Sequence, residues 1–367
     1  MRQLATIACG LVLLSTAGGA RQPALDGRRV LEAHLSHGIG ESPFDSDVWH
    51  DRVNAALVLE SRAGATLGDL DRIAGTRADL ESRLALLRKH GFVDVDGARV
   101  RTRFPILVGD DQRAYMKAVS EAAGHIERAM RGSWQELLDA VAALGWREWA
   151  YHIVWSQTMD SGFTWAPMME QTLVPPLSTL LVWVVYPQHP FKSGTNYFPD
   201  TEIRDRMLAV TWRPGAADTV HRVGSVWPDV WAASVTRDAS PQGLARLRAA
   251  GLVDQAGSLH MPIIRRGDAL YARLEQLGEE YVRLMRRHLP VPELRGITRA
   301  DDQVTFTMAY HDVSWEMLRG MVERGVLGVP PALRAGAPGT VSMTGVSGLV
   351  DAHPAFIAEL KKALGIR

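Results

Sequence analysis

The sequence predicts an α+β, mainly helical protein made of two copies of one unit, with a β-containing insert between them. Two observations carry this reading. The chain aligns with itself at an offset of 160 residues, and each copy passes in the same order from helical to extended apolar periodicity. The composition fits: 46% hydrophobic residues, 22% charged residues and eleven tryptophans describe a folded chain rather than a disordered one.

At 367 residues the chain has room for two domains of ordinary size. Residues 1–20 read as an export signal, with Arg2 as the positive end, an apolar run over 4–14 and small residues at Ser15, Thr16, Ala17 or Gly18, Gly19, Ala20 for cleavage. That run is too short to span a bilayer, which needs about 20 apolar residues. The longest later apolar stretch, 173–185, is interrupted by Pro175 and Pro176. The expectation is an exported protein, periplasmic or extracellular, without a transmembrane segment once the signal is removed.

The single cysteine, Cys9, lies inside that signal, so the mature chain is expected to lack disulfides, thiolate metal sites and cysteine nucleophiles. Basic and acidic residues balance at 41 each, which gives no bulk attraction to nucleic acid.

Residues 67–94 align with 227–254 without a gap, and ten of the 28 positions are identical. Asp69, Thr76, Arg77, Leu84, Gly91 and Asp94 recur as Asp229, Thr236, Arg237, Leu244, Gly251 and Asp254. Downstream, Ala150-Tyr151-His152 returns as Ala309-Tyr310-His311. Two copies of so long a unit imply a duplicated domain with approximate two-fold symmetry rather than a solenoid.

Within the first copy a short helix is expected over 67–74. Thr76 is the N-cap of a second helix, along which Leu80, Leu84 and Leu87 form an apolar stripe. Gly91 stops it, since glycine best adopts the left-handed conformation that ends helices. Phe92-Val93-Asp94 then opens a hairpin that turns at Asp96-Gly97 and returns through 98–103.

Helix, turn, helix and hairpin in that order resemble the winged-helix superfamily, most clearly in LRKHGFVDVDGARVRTRFPIL (87–107) and LRAAGLVDQAGSLHMPII (247–264). The resemblance implies a fold pattern, covers about 40 residues per half, and brings no catalytic residues.

Long amphipathic helices are expected over 111–130 and 267–288, and further helices over 147–160 and 308–324. The insert holds an apolar run at 180–186, with 207–212 as its expected strand partner. The chain thus divides into the signal, a first unit at 21–160, an aromatic and proline-rich insert at 161–212, a second unit at 213–330, and a C-terminal loop and helix at 331–367.

No motif fixes a reaction or a cofactor. Winged helices usually bind DNA through the second helix and the wing. Here Asp79 and Glu81 would face phosphates, the second hairpin has no arginine, and an exported protein meets no chromosome, so nucleic acid is not the expected partner. Duplication would bring His152 and His311 toward one another, with Asp160 and Asp312 as nearby acids; local packing explains the repeated Tyr-His equally well, and no spacing supports a metal.

A second candidate is the loop carrying His189, Lys192, Ser193, Asn196, Tyr197 and Asp200. A nucleophile elbow is absent: Gly345-Val346-Ser347-Gly348 lacks the spacing and reads as a turn. Trp155 and Trp165 flank His152 and read as core or as the lining of a ligand pocket.

The leading reading is a small-molecule or peptide binder with a cleft between the halves, lined by His152, Trp155, Asp160, Trp165, His189, Asn196, Tyr197 and His311. The alternatives are a hydrolase using His152 or His189 with an acid partner, and an interaction scaffold. A hydrolase needs a histidine in reach of both an acid and a hydroxyl. A large cavity containing neither His152 nor His311 favours a binder with its site elsewhere.

Overall fold

The computed structural model describes residues 33–36, 48, 51–177, 179, 181–187, 189–199, 206–213, 226–233, 239–249, 252–254, 256–330, 333 and 347–363. The expected signal and Asp200 lie outside them. The described chain is α+β and mainly helical, and none of its helices is long and apolar enough to cross a membrane.

The first elements form where local signals are strongest. Helix α1 (Arg52–Ser61) starts at Asp51, whose carboxylate accepts from the N–H groups of Val53 and Asn54 at 2.8 and 3.1 Å. Strand β2 (Ala65–Thr66) runs into α2 (Leu67–Ala74), where Thr66 and Asp69 form a capping box. Thr76 caps α3 (Arg77–Lys89) by accepting from Asp79 N–H at 3.1 Å. Gly91 follows at φ +70, and β3 (Val93–Asp96) returns as β4 (Arg99–Thr102) through Gly97 at φ +55. Strand β2 pairs with the other edge of β4. Leu57, Leu70, Leu80, Leu84, Leu87, Phe92 and Val100 form the small core between these elements.

Strand β5 (Ile106–Val108) leads into α4 (Gly109–Ala143), about 50 Å long at 1.5 Å per residue. This helix outruns the expected 111–130. Tyr115, Val119, Ala122, Ile126, Met130, Trp134, Leu137 and Val141 keep one buried stripe at spacings of three and four across Gly132 and Ser133.

The helix expected over 147–160 is three pieces instead: a 3₁₀ turn (Arg147–Trp149), α5 (Ala150–Val154) and a π turn (Trp155–Met159). The π turn closes with Asp160 N–H donating to Trp155 O at 2.8 Å. Ser161 then caps α6 (Gly162–Glu170).

After the insert strands β6 (Leu181–Tyr186), β7 (Gly194–Pro199) and β8 (Arg206–Trp212) comes a helical stretch at 226–233, then α7 (Pro241–Ala249), β9 (Ile263–Ile264) and α8 (Ala269–His288). Helices α9 (Val291–Thr298) and α10 (Asp302–Glu323) follow, then β10 (Ser347–Asp351) and α11 (Pro354–Ala363). Helix α4 packs against α8 and α10.

Strand pairing departs from the sequence expectation. Strand β6 does not pair with β8: it is flanked by β1 (Ala33–Ser36), antiparallel, and β5, parallel. Strand β8 lies between β7 and β10, antiparallel to both, and β10 is also parallel to β9. Apolar runs carry no address for a partner, so both were legible as strands and neither as a pair. Ser347 and Gly348, expected in a turn, begin β10.

The two arrangements share a topology. In β1–β6–β5 and in β8–β10–β9, the strand before a helix–hairpin segment is antiparallel to the strand after it. That second strand is parallel to the one leaving the hairpin region.

Candidate functional site

The candidate residues that are described fall into a buried polar layer between α5, the π turn, β7, β8 and α10. His152 is fully buried on α5; its Nδ1 is 2.7 Å from Thr211 Oγ1 and its Nε2 is 3.2 Å from the Gln157 amide nitrogen. Ser156 Oγ connects Thr211 Oγ1 (2.5 Å) to Thr195 Oγ1 (2.9 Å). Tyr197 OH donates to the carbonyls of Ser156 and Asp160 at 2.7 and 2.5 Å, while Asn196 sits beside it on β7 opposite Val210.

Burial raises the Asp160 carboxyl to about 6, against the bonds from Trp165, Thr195 and Tyr310 that favour its ionised form. Trp165 Nε1–H donates to it at 3.2 Å. Trp155 stacks on Trp315 with ring centroids 6.5 Å apart.

Helix α10 carries the second part of the layer. His311 Nδ1–H donates to Thr307 O at 2.8 Å, and the ring lies among Trp165, Trp183, Tyr310 and Trp315. Burial lowers this imidazole to about 4, and the charge of Lys192 adds to the effect, so it is neutral near pH 7. Next to it, Asp312 accepts from Tyr115 OH at 2.8 Å and is raised to about 6, again mainly by burial.

His189 lies in the loop before β7. Its Nδ1 accepts from Phe191 N–H at 3.1 Å, which leaves the proton on Nε2 to be donated to Glu316 at 2.9 Å. Burial opposes ionisation of Glu316, but the bonds from His189 and Arg319 outweigh it and hold the carboxyl below its ordinary value. The insert loop is therefore packed inward: His189, Lys192, Ser193, Asn196 and Tyr197 are all buried.

The bonds of Trp315 to Ser193 O and of Glu316 to His189 tie α10 to the insert loop. His189 has its acid but both ring nitrogens are engaged, and the ring nitrogens of His152 meet a hydroxyl and an amide. Among the described residues no group of three or more His, Cys, Asp or Glu side chains forms a metal site.

A cleft of about 420 Å³ lies elsewhere, and its lining contains none of the eight residues above. Phe92, Thr102, Arg103 and Phe104 come from the first hairpin and its exit, Ile106 from β5, and Leu181 and Val182 from β6. Ile297, Arg299, Asp301 and Val304 come from the corner between α9 and α10. Its volume falls in the range of small-molecule pockets.

Three guanidinium groups, of Arg62, Arg103 and Arg299, border it. Arg103 pairs with Asp94 at 3.2 Å, and Arg62 and Arg299 both approach Asp111. Arg299 caps α9 in the left-handed conformation at φ +57, a strained backbone for a residue with a side chain. In the sequence, Gly91 and Phe92 stand out here only as the helix stop and the start of the hairpin, because the lining is assembled from segments far apart in the chain.

Comparison of the chain with known protein families, with curated proteins and with solved structures finds no match.

Proposed function

We propose that the chain is an exported binding protein, built from two related winged-helix-like units, and that it takes a small molecule in the cleft between the first hairpin and the α9–α10 corner. The observation that carries this reading is the cleft itself: about 420 Å³, lined by the apolar side chains of Phe104, Ile106, Val182, Ile297 and Val304 and by an equally large polar part that includes Arg62, Thr102, Asp111 and Arg299.

Duplication is supported by the ten identities at one offset and by the matching pairing of β1–β6–β5 and β8–β10–β9. Export rests on the pattern of residues 1–20. A nucleic-acid partner is disfavoured by charge, since Arg77 pairs with Asp71 and Glu81, Arg83 with Asp51, and Arg103 with Asp94. These arginines are already answered by the chain's own carboxylates.

A fluorinated-fragment NMR screen tests the reading, with Ile297→Trp filling the cleft as the comparison. Fragments that bind the native chain and lose binding to Ile297→Trp, at unchanged circular dichroism, support it. Fragments that bind both proteins equally overturn it.

A further inference from the structure

We infer that the cleft takes an organic acid, a carboxylate on an apolar or aromatic body, with the anion seated between Arg62 and Arg299; this rests on the reading of the cleft as the binding site. Arg62 Nη1 is buried and has no hydrogen-bond partner among the described residues. Its Nη2 lies 3.9 Å from Asp111 Oδ2, and Arg299 Nη2 lies 3.7 Å from the same oxygen. Both distances exceed a hydrogen bond, so Asp111 leaves donors of each guanidinium unsatisfied.

The acids at the cleft are already engaged. Asp111 stands in the first turn of α4, and Asp301 Oδ1 accepts from Val304 N–H at 2.8 Å as the cap of α10. Arg103 is answered by Asp94, which leaves the guanidinium groups of Arg62 and Arg299 sharing the one carboxylate of Asp111. A carboxylate matches a guanidinium fork in charge and geometry, and its bonds are of the charge-assisted kind.

The rest of the lining selects against a bare ion. Phe104, Ile106, Val182, Ile297 and Val304 offer surface that only an apolar body covers. A neutral carbonyl can accept from a guanidinium but brings no charge, so its bond is the weaker one.

Isothermal titration with three acid and amide pairs, benzoate, 4-phenylbutyrate and hexanoate against their primary amides, with inorganic phosphate alongside, tests this on the full chain. The expected result is that at least one acid binds about tenfold or more tighter than its amide, the loss that accompanies one bond to a charged group. Arg62→Gln should bring that acid to the level of its amide, and the exposed Arg299→Gln should weaken it in the same direction.

Phosphate binding as tightly as the best acid would overturn the apolar body. An amide binding as well as its acid, with both lost in Ile297→Trp, would overturn the acid and leave the cleft standing. If no probe binds, or if binding survives in Ile297→Trp, the cleft reading itself falls.

Discussion

Arg62, which follows α1, and Arg299, in the turn between α9 and α10, approach one atom, Asp111 Oδ2, at 3.9 and 3.7 Å. The carboxylate holds the place an external anion would take, and it holds it loosely. Asp111→Asn should therefore tighten the binding of organic acids severalfold, by removing a like charge from the site. The cost in stability should stay within about 1 kcal/mol, since long, partly exposed ion pairs contribute little. Titration calorimetry and urea unfolding of the two proteins measure both effects. Unchanged affinity would mean that Asp111 does not compete with the ligand.

Arg299 separates binding from folding. Its φ of +57 is adopted easily by glycine and at a cost by arginine. Arg299→Gly should stabilise the fold by roughly 0.5 to 1 kcal/mol, because relief of left-handed strain outweighs the greater freedom of glycine in the unfolded chain, while weakening acid binding. A residue that only caps α9 would give the first effect without the second. Opposite signs in the two measurements are the outcome expected where strain is kept for a site.

What was legible in sequence was what local chemistry decides. Thr76, Gly91 and the Asp96-Gly97 turn mark ends that depend on neighbouring residues alone, and α2, α3 and the hairpin follow them. Helix α4 runs past the expected 111–130 because Trp134, Leu137 and Val141 continue, beyond Gly132 and Ser133, the stripe buried against α8 and α10.

Partners across the chain were not legible. Nothing in the 181–186 run says that it lies between β1 and β5, and nothing in Arg62, Asp111 or Arg299 says that they meet. His152, Asp160 and His311 stood out as chemistry-bearing types. That Thr211 would take up His152 Nδ1 depends on how α5 and β8 are placed, whereas the Asp160–Trp165 and His311–Thr307 bonds are local, five and four residues apart.

Two helical glycines should answer the same substitution with opposite signs. A Cβ on Gly278, in α8, would stand 2.3 Å from the backbone oxygen of Phe163 in α6, where no side chain can move aside. Gly278→Ala should destabilise by about 1 to 3 kcal/mol, as overpacking does. Around Gly296, in α9, a Cβ meets nothing within 4 Å. Gly296→Ala should stabilise by about 0.5 to 1 kcal/mol through helix propensity. Thermal unfolding compares them; destabilisation in both would place Gly296 in a tighter setting than its surroundings show.

Buried acids should make the fold less stable as pH rises. Asp312 is raised from 3.8 to about 6, so between these values the folded chain holds a proton that the unfolded chain has released. Stability therefore falls as pH climbs through this window and levels off above it. Asp160, also near 6, acts in the same sense. His311, lowered from 6.5 to about 4, acts in the opposite one: the unfolded chain binds its proton first, so its contribution is lost as pH falls. The raw pH profile mixes these effects, and a difference measurement separates them. Asp312→Asn keeps an oxygen for Tyr115 OH and removes the charge facing His189, Lys192 and Glu316. Its stability relative to the native chain should improve between pH 4 and 7 by something on the order of 2 kcal/mol. Urea unfolding across that range reads the difference directly, and a difference that does not change with pH would mean that Asp312 ionises as readily in the folded chain as in the unfolded one.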